Sequence, residues 1–163
     1  MALESLSKQS TEGCVAPGIH REVIQSIGTT ELQLKPEESG SLILMDAATQ
    51  ITVRLPTPVA GMTFEFLTTV TVTASDTHKI ITKTIATEFM IGGIGSFATT
   101  VAEGGDSFSA NGTTHVACTS NGSTTGGLLG QRVIFTAISA TQWAVAGFTV
   151  GTTGTMATPF ATS

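Results

Sequence analysis

Few residues in this chain have the type and spacing to do chemistry. The imidazoles are His20, His78 and His115, and the thiols are Cys14 and Cys118. His115 and Cys118 stand as H-x-x-C, the beginning of a metal-ligand pattern. A zinc site needs four protein ligands, or three and a water. No second Cys or His pair stands at metal spacing, so no metal is expected. His20 falls in an N-terminal stretch and His78 in a turn, where solvated side chains are expected. Asp46, Asp76, Glu88 and Asp106 all fall near predicted turns. Two carboxylates brought together could serve as acid and base, but in turns Asp bonds its own backbone.

Motifs for nucleophiles and phosphates are missing too. The chain contains no G-x-S-x-G elbow, no H-E-x-x-H and no G-x-x-x-x-G-K loop. Gly92, Gly93, Gly95 and Ser96 resemble a phosphate cradle superficially. No helix with suitable start signals follows to aim its N-terminus at a phosphate, and a backbone turn is the expected structure there. Asn111-Gly112-Thr113 and Asn121-Gly122-Ser123 fit the glycosylation sequon but are read as tight hairpin turns, which need the positive φ that Asn and Gly tolerate. The sequence predicts a non-enzymatic protein with no catalytic residues, no cofactor-binding residues and no cofactor.

Composition says more. Of 163 residues, 40% are hydrophobic and 12% charged, against roughly 25% charged in an ordinary soluble domain. Such a thinly charged surface favours contact with protein. Glu4, Glu12, Glu22, Glu31, Glu37 and Glu38 lie in the first forty residues, while Arg132 is the only charged side chain after Asp106. The C-terminal third therefore reads as interface or core. A net charge of −5 with seven scattered Lys and Arg argues against nucleic acid, which demands clustered basic residues. Glu4 and Lys8 interrupt the first ten residues, so no secretory signal is expected. No run of about eighteen apolar residues could span a membrane, and no membrane partner is expected. Cys14 and Cys118 could form one disulfide but no framework of bridges; two free thiols are expected.

The elements that would position these residues are strands. Residues 1–28 read as an extended N-terminal arm or a disordered tail, with Pro17 inside a glycine-bounded stretch. Residues 29–150 read as one β-domain, because Thr, Val and Ile dominate and each is stiff at χ1. Glu31–Leu34, Ser41–Met45 and Gln50–Leu55 read as short strands, Pro56 and Pro58 ending the last. Met62–Ala74 is long enough to need a bend near Leu67–Thr69. Lys79–Thr84 and His115–Thr119 are further strands. Arg132–Ile138 and Gln142–Val150 read as a hairpin anchored by Trp143. Eight or more short strands predict an all-β fold, an antiparallel β-sandwich or a jelly-roll or barrel-like domain. No fixed-period repeat marks a solenoid. Residues 151–163, uncharged and rich in Thr, Gly and Ala, form a C-terminal tail that either adds an edge strand or lies on a partner.

Two segments resemble a known group. Ile51-Thr52-Val53-Arg54-Leu55-Pro56, with Val59-Ala60-Gly61-Met62-Thr63-Phe64-Glu65-Phe66, is similar to the strand, Leu-Pro, small-residue turn and aromatic strand of small structural proteins of tailed bacteriophages. Gly130-Gln131-Arg132-Val133-Ile134-Phe135, leading to Trp143-Ala144-Val145-Ala146-Gly147, resembles their closing hairpin. The turn departs from that pattern, reading Ser139-Ala140-Thr141-Gln142 where the group often has Asp, Gly and Asn. The resemblance implies a capsid decoration, or cement, protein on the outer surface of the virion. It would form a homotrimer, contact the major capsid protein and stabilise the shell, with its arm pinning neighbouring subunits. The alternative is a head or tail fibre or knob module binding a host glycan.

Overall fold

A computed structural model describes residues 21–26, 30–100, 105–152 and 154–163. The β-branched and aromatic runs become twelve strands: β1 (Val23–Gln25), β2 (Glu31–Gln33), β3 (Leu42–Met45), β4 (Thr52–Arg54), β5 (Thr63–Thr68) and β6 (His78–Ile81). They continue with β7 (Phe89–Ala98), β8 (Gly105–Asn111), β9 (Ala117–Ser120), β10 (Arg132–Ala137), β11 (Gln142–Gly151) and β12 (Phe160–Ala161). Among the described residues one 3-10 turn, Pro36–Glu38, is the sole helical element. No helix there is long and apolar enough to cross a membrane.

Two sheets pack face to face. One has seven strands in the order β1-β3-β5-β10-β11-β7-β8, and the other five in the order β12-β9-β6-β4-β2. The all-β sandwich is the expected fold class, but the sheets are mixed. Five ladders are parallel and five antiparallel.

Four of the parallel ladders arise because β1 to β6 alternate between the sheets, so each strand from β3 on pairs with the one two before it. Leu42 aligns with Val23 and Glu65 with Leu42, spacings of 19 and then 23 residues. In the other sheet Thr52 aligns with Glu31 and Lys79 with Thr52, spacings of 21 and 27. This is a short coil of the solenoid kind whose period drifts, which is why no fixed repeat is visible.

The rest of the chain closes the sandwich. The β10–β11 hairpin forms as predicted, with Phe135 opposite Val145 and Ala137 opposite Trp143. Its second strand pairs in parallel with β7 over ten residues. Gly92, Gly93 and Gly95 do not make the expected turn; they lie inside β7. At Gly92, φ is +117° and a Cβ would stand 2.4 Å from the Val145 carbonyl oxygen. Glycine there permits close approach of two backbones inside a strand.

The expected bend near Leu67–Thr69 is the end of β5, where the Thr69 and Val70 amides both donate to the Met45 carbonyl, at 3.1 and 3.4 Å. Of the expected arm, residues 1–20, 27 and 28 lie outside the described residues, and Val23–Gln25 form the edge strand β1. In the C-terminal tail, β12 pairs with β9, the edge-strand alternative.

The core lies between the sheets. Phe64, Phe66, Val133, Phe135, Trp143 and Val145 from the larger sheet meet Val53, Ile80, Cys118 and Phe160 from the smaller. Phe66 and Phe135 pack edge to face at 5.4 Å, and Phe64 sits 5.9 Å from Trp143. Each buried aromatic side chain takes about 150–250 Å² out of water, roughly 4–6 kcal/mol as an upper bound.

Candidate interaction surface

The residues singled out for chemistry are put to structural use. His78 is not solvated; it opens β6 and is buried. Its Nδ1 accepts the Ile51 amide at 3.2 Å, so the proton sits on Nε2, 3.0 Å from the Ala47 carbonyl. Burial lowers its pKa, against the opposing pull of that carbonyl and of the Asp76 charge. His115 Nδ1 accepts the Asn111 amide at 3.2 Å and its ring stacks on Phe160. Cys118 is a free thiol in the core, pushed up to about 12 by burial; Cys14 lies outside the described residues, as does His20. Among the described residues no group of three or more His, Cys, Asp or Glu could hold a metal.

The carboxylates serve local structure. Asp46 Oδ1 accepts the Ser26 hydroxyl at 3.0 Å, and Glu88 accepts the Thr84 amide at 3.1 Å. Asp76 closes a turn through its amide on the Thr73 carbonyl, and Asp106 lies in β8. Asn111 Oδ1 accepts the Thr113 and Thr114 amides at 3.0 and 2.9 Å, and Asn121 Oδ1 those of Ser123 and Thr125, both at 3.0 Å. Both are turns, but neither joins a hairpin. Each carries the chain from one sheet to the other, because the side-chain oxygen braces an arch wider than a two-residue loop.

What remains is surface, and the two outer faces differ. On the five-stranded sheet the outward positions are those of an ordinary sandwich, hydrophobic in and polar out. Glu31 and Arg54 pair at 3.2 Å, and Lys79 Nζ donates to the Ser163 carbonyl at 3.1 Å. Beside them a polar groove of about 390 Å³ is lined by Gln50, Thr77, Lys79, Thr119 and Thr125.

The outer face of the seven-stranded sheet breaks the rule. Its register sets Val23, Leu42, Glu65, Ile134 and Ala146 in one row, and Gln25, Leu44, Leu67, Arg132 and Phe148 in the next. Val23 is 53% exposed, Ile134 37% and Phe148 36%. Phe97, 50% exposed, continues the patch, 6.3 Å from the Phe148 ring. Its ring covers Gly95 and Gly105, where added Cβ atoms would meet it at 3.5 and 2.9 Å. An exposed apolar face of this kind is a candidate interaction surface.

Three charged side chains lie on this face, Arg21, Glu65 and Arg132. Glu65, with 6% of its side chain exposed, takes Arg21 on one oxygen and Arg132 on the other. Burial raises the Glu65 pKa; the hydrogen bonds and charges of Arg132 and Arg21 outweigh that and hold the carboxyl below its ordinary value. Arg21 also donates to the carbonyls of Gly40 and Ser41 at 2.9 and 3.1 Å, fastening the chain leading into β1 across β3. Glu22 accepts the Ser41 hydroxyl at 3.2 Å. Glu22 alternates with outward Val23, so this face carries two arginines against one carboxylate.

Sequence reasoning missed this face because its residues come from strands more than a hundred positions apart. The alternation of Leu42 and Leu44 with Ile43 was the available signal, since both sides of β3 are apolar, together with Ile134 on the outer side of β10 between Arg132 and Thr136. Comparison of the chain with family models, with curated proteins and with solved structures finds no match.

Proposed function

We propose that this chain is a structural subunit of a bacteriophage virion. In this reading it binds the outside of the capsid as a decoration or cement protein, assembling with copies of itself and with the major capsid protein. The observation that carries the reading is the exposed apolar outer face of the seven-stranded sheet, a surface suited to burial against protein. The scarcity of charge across the chain supports it, as does the resemblance of residues 51–66 and 130–147 to small virion proteins. Reinforcement would be mechanical: apolar area buried across shell subunits opposes their separation. The resemblance implies three copies around a local three-fold axis.

The test is co-sedimentation of the purified protein with empty shells of the phage that encodes it, together with mass spectrometry of purified virions. Binding at fixed stoichiometry, with shells that resist heat better when coated, is expected. Absence from both virions and shells would refute the reading.

A fibre or knob module binding a host glycan is the second reading. The polar groove beside Lys79 favours it, with its hydroxyl and amide lining. That lining holds no aromatic ring for a sugar to stack on, and the exposed pair Phe97 and Phe148 lies on the other sheet. A glycan array probed with the labelled protein separates the two readings.

A further inference from the structure

Building on the reading of the chain as an assembling subunit, we infer that the free edge of β8 is where two copies of this chain join, strand against strand about a two-fold axis at Phe108.

The edge strands of the two sheets are unequal. β1 and β2 have three residues each and β12 two, whereas β8 runs for seven. A long exposed edge is a template for another strand, and Lys, Pro or a bulge are common ways to blunt one. β8 reads Gly-Asp-Ser-Phe-Ser-Ala-Asn, with neither Lys nor Pro, and its ladder with β7 runs without a bulge.

The direction of its backbone groups follows from the strand beside it. The amides of Phe89 and, one step past the end of β7, Thr99 donate to the Thr141 and Gly151 carbonyls on the β11 side, at 2.8 and 3.0 Å. Even-numbered residues of β7 therefore face β8, and the register sets them against Asp106, Phe108 and Ala110. Ser107 and Ser109 point their amides and carbonyls the other way, where they have no partner among the described residues. The Asn111 amide points that way too and donates to His115 Nδ1 at 3.2 Å, which closes the edge at that end.

The open stretch is complementary to itself, as an isologous contact requires. Two copies of β8 laid antiparallel with Phe108 opposite Phe108 set Ser107 opposite Ser109 on both sides of the axis. These are the residues with free groups, and in such a ladder each pair exchanges both of its bonds. Asp106, the only charge in β8, falls opposite Ala110, so no carboxylate meets its counterpart. Phe108, half-buried against the core, gains a cross-strand aromatic partner. Moving the axis to Ser109 would set Ser107 opposite Asn111, whose amide His115 already holds. Moving it to Ser107 would set Phe108 opposite Asp106. Strand addition alone buries less than a standard interface of about 1,200–2,000 Å², so the pair is weak in solution and gains from high local concentration on a larger assembly.

Light scattering on the full chain should give a mass that rises with concentration from the 16.7 kDa of one protomer toward twice that value. Ser109→Pro removes an outward amide at an edge position, where a sheet tolerates Pro, and should hold the mass at that of a single chain. Val59→Lys, at an exposed apolar residue in the turn before β5, should leave pairing intact. Circular dichroism checks that each variant is folded. Should Ser109→Pro fail to fold, Phe108→Cys supplies a second measurement. Opposite residues of a non-hydrogen-bonded pair stand about 4.5 Å apart at Cα, within the span of a disulfide. Oxidation should therefore join two chains through residue 108, identified by mass spectrometry of the linked peptide because Cys14 and Cys118 are also thiols.

A wild-type mass that stays at one chain at every concentration, or a pair that survives Ser109→Pro and does not link through Phe108→Cys, would overturn the inference. Three times the chain mass would overturn it in favour of the three-fold arrangement. Shell binding by a protein that never pairs would leave the virion reading standing alone, and pairing without shell binding would leave this inference standing alone.

Discussion

Replacing Glu65 by Gln keeps the side chain's shape and removes the charge that Arg21 and Arg132 share. Glu65 is almost fully buried, while the two arginines keep 43% and 53% of their side chains exposed. A hydrogen bond to a charged group contributes about 1.5–3 kcal/mol and a neutral one about 1. The difference is roughly 1 kcal/mol per arginine, reduced by screening on the exposed side, which leaves about 1–2 kcal/mol for the pair. In a chain of this length that is a melting-temperature loss of about 2–8 °C.

The pH dependence makes the test sharper. A carboxyl whose pKa is depressed on folding contributes stability that is fully present above its unfolded pKa and is lost as pH falls through the folded one. For Glu65 the ordinary value is 4.5 and the folded value lies below it. Wild type and Glu65→Gln should therefore melt apart at neutral pH and converge as the pH drops below 4.5. The assay is circular dichroism melting across a pH series at one fixed protein concentration, since association raises apparent stability. A gap that persists undiminished into acid, or no gap at neutral pH, refutes the reasoning.

Gly147 has φ +138°, and a Cβ there would stand 2.3 Å from the Arg132 carbonyl oxygen. Gly147→Ala should cost about 2–3 kcal/mol or more in chemical denaturation, whereas Gly93→Ala, with 3.5 Å to its nearest atom, should cost much less. His78 is held neutral by burial, so its contribution is present above its unfolded pKa of 6.5 and declines as pH falls toward the folded value. Urea melts between neutral and mildly acid pH should show that slope, and it should flatten in His78→Gln.

Trp143 is fully buried and its Nε1 has no hydrogen-bond partner among the described residues. Trp143→Phe loses about 1–2 kcal/mol of packing but removes a buried donor that costs about 1–3, so its stability should stay within roughly 1 kcal/mol of wild type. Cys118 should resist maleimide in the native protein and react once unfolded, read by mass spectrometry of its peptide.

Local grammar was legible in the sequence. Arg132–Ala137 and Gln142–Gly151 announced themselves by alternation and a short polar turn, and Trp143 by its size. Strand pairing was not legible in the same way. Whether β3 pairs with β1 or with β2 depends on whether the chain between them reverses within a sheet or crosses to the other. Gly, Asn and Ser serve both kinds of connection, as Asn111 and Asn121 show. Gly92 misled for a related reason, since positive φ is as useful where two strands crowd as where a chain turns. His78 was misplaced because only three dimensions reveal that Ile51 and Ala47 offer it both a donor and an acceptor.

The low charge of the chain takes on a different meaning once the sheets are seen. The two outer faces carry similar numbers of charges and differ in exposed apolar residues. The five-stranded sheet presents Glu31, Gln33, Arg54 and Lys79 outward, as a sandwich in water should. The seven-stranded sheet, drawn from both ends of the chain, presents Val23, Ile134, Phe148 and Phe97, and closes its one buried carboxylate between two arginines. Both faces belong to one folded unit in one solvent, so each is a control for the other. What distinguishes the seven-stranded face is exposed apolar surface, assembled from β1 and β3 near the N-terminus and β10 and β11 near the C-terminus. Core packing does not require it, because Phe64, Phe66, Val133 and Phe135 already fill the inner side of the same strands. Leu42 and Leu44 on the outer side of β3, and Ile134 on that of β10, stand behind the inward Ile43, Val133 and Phe135, and in the proposed reading their cover is protein outside the sandwich.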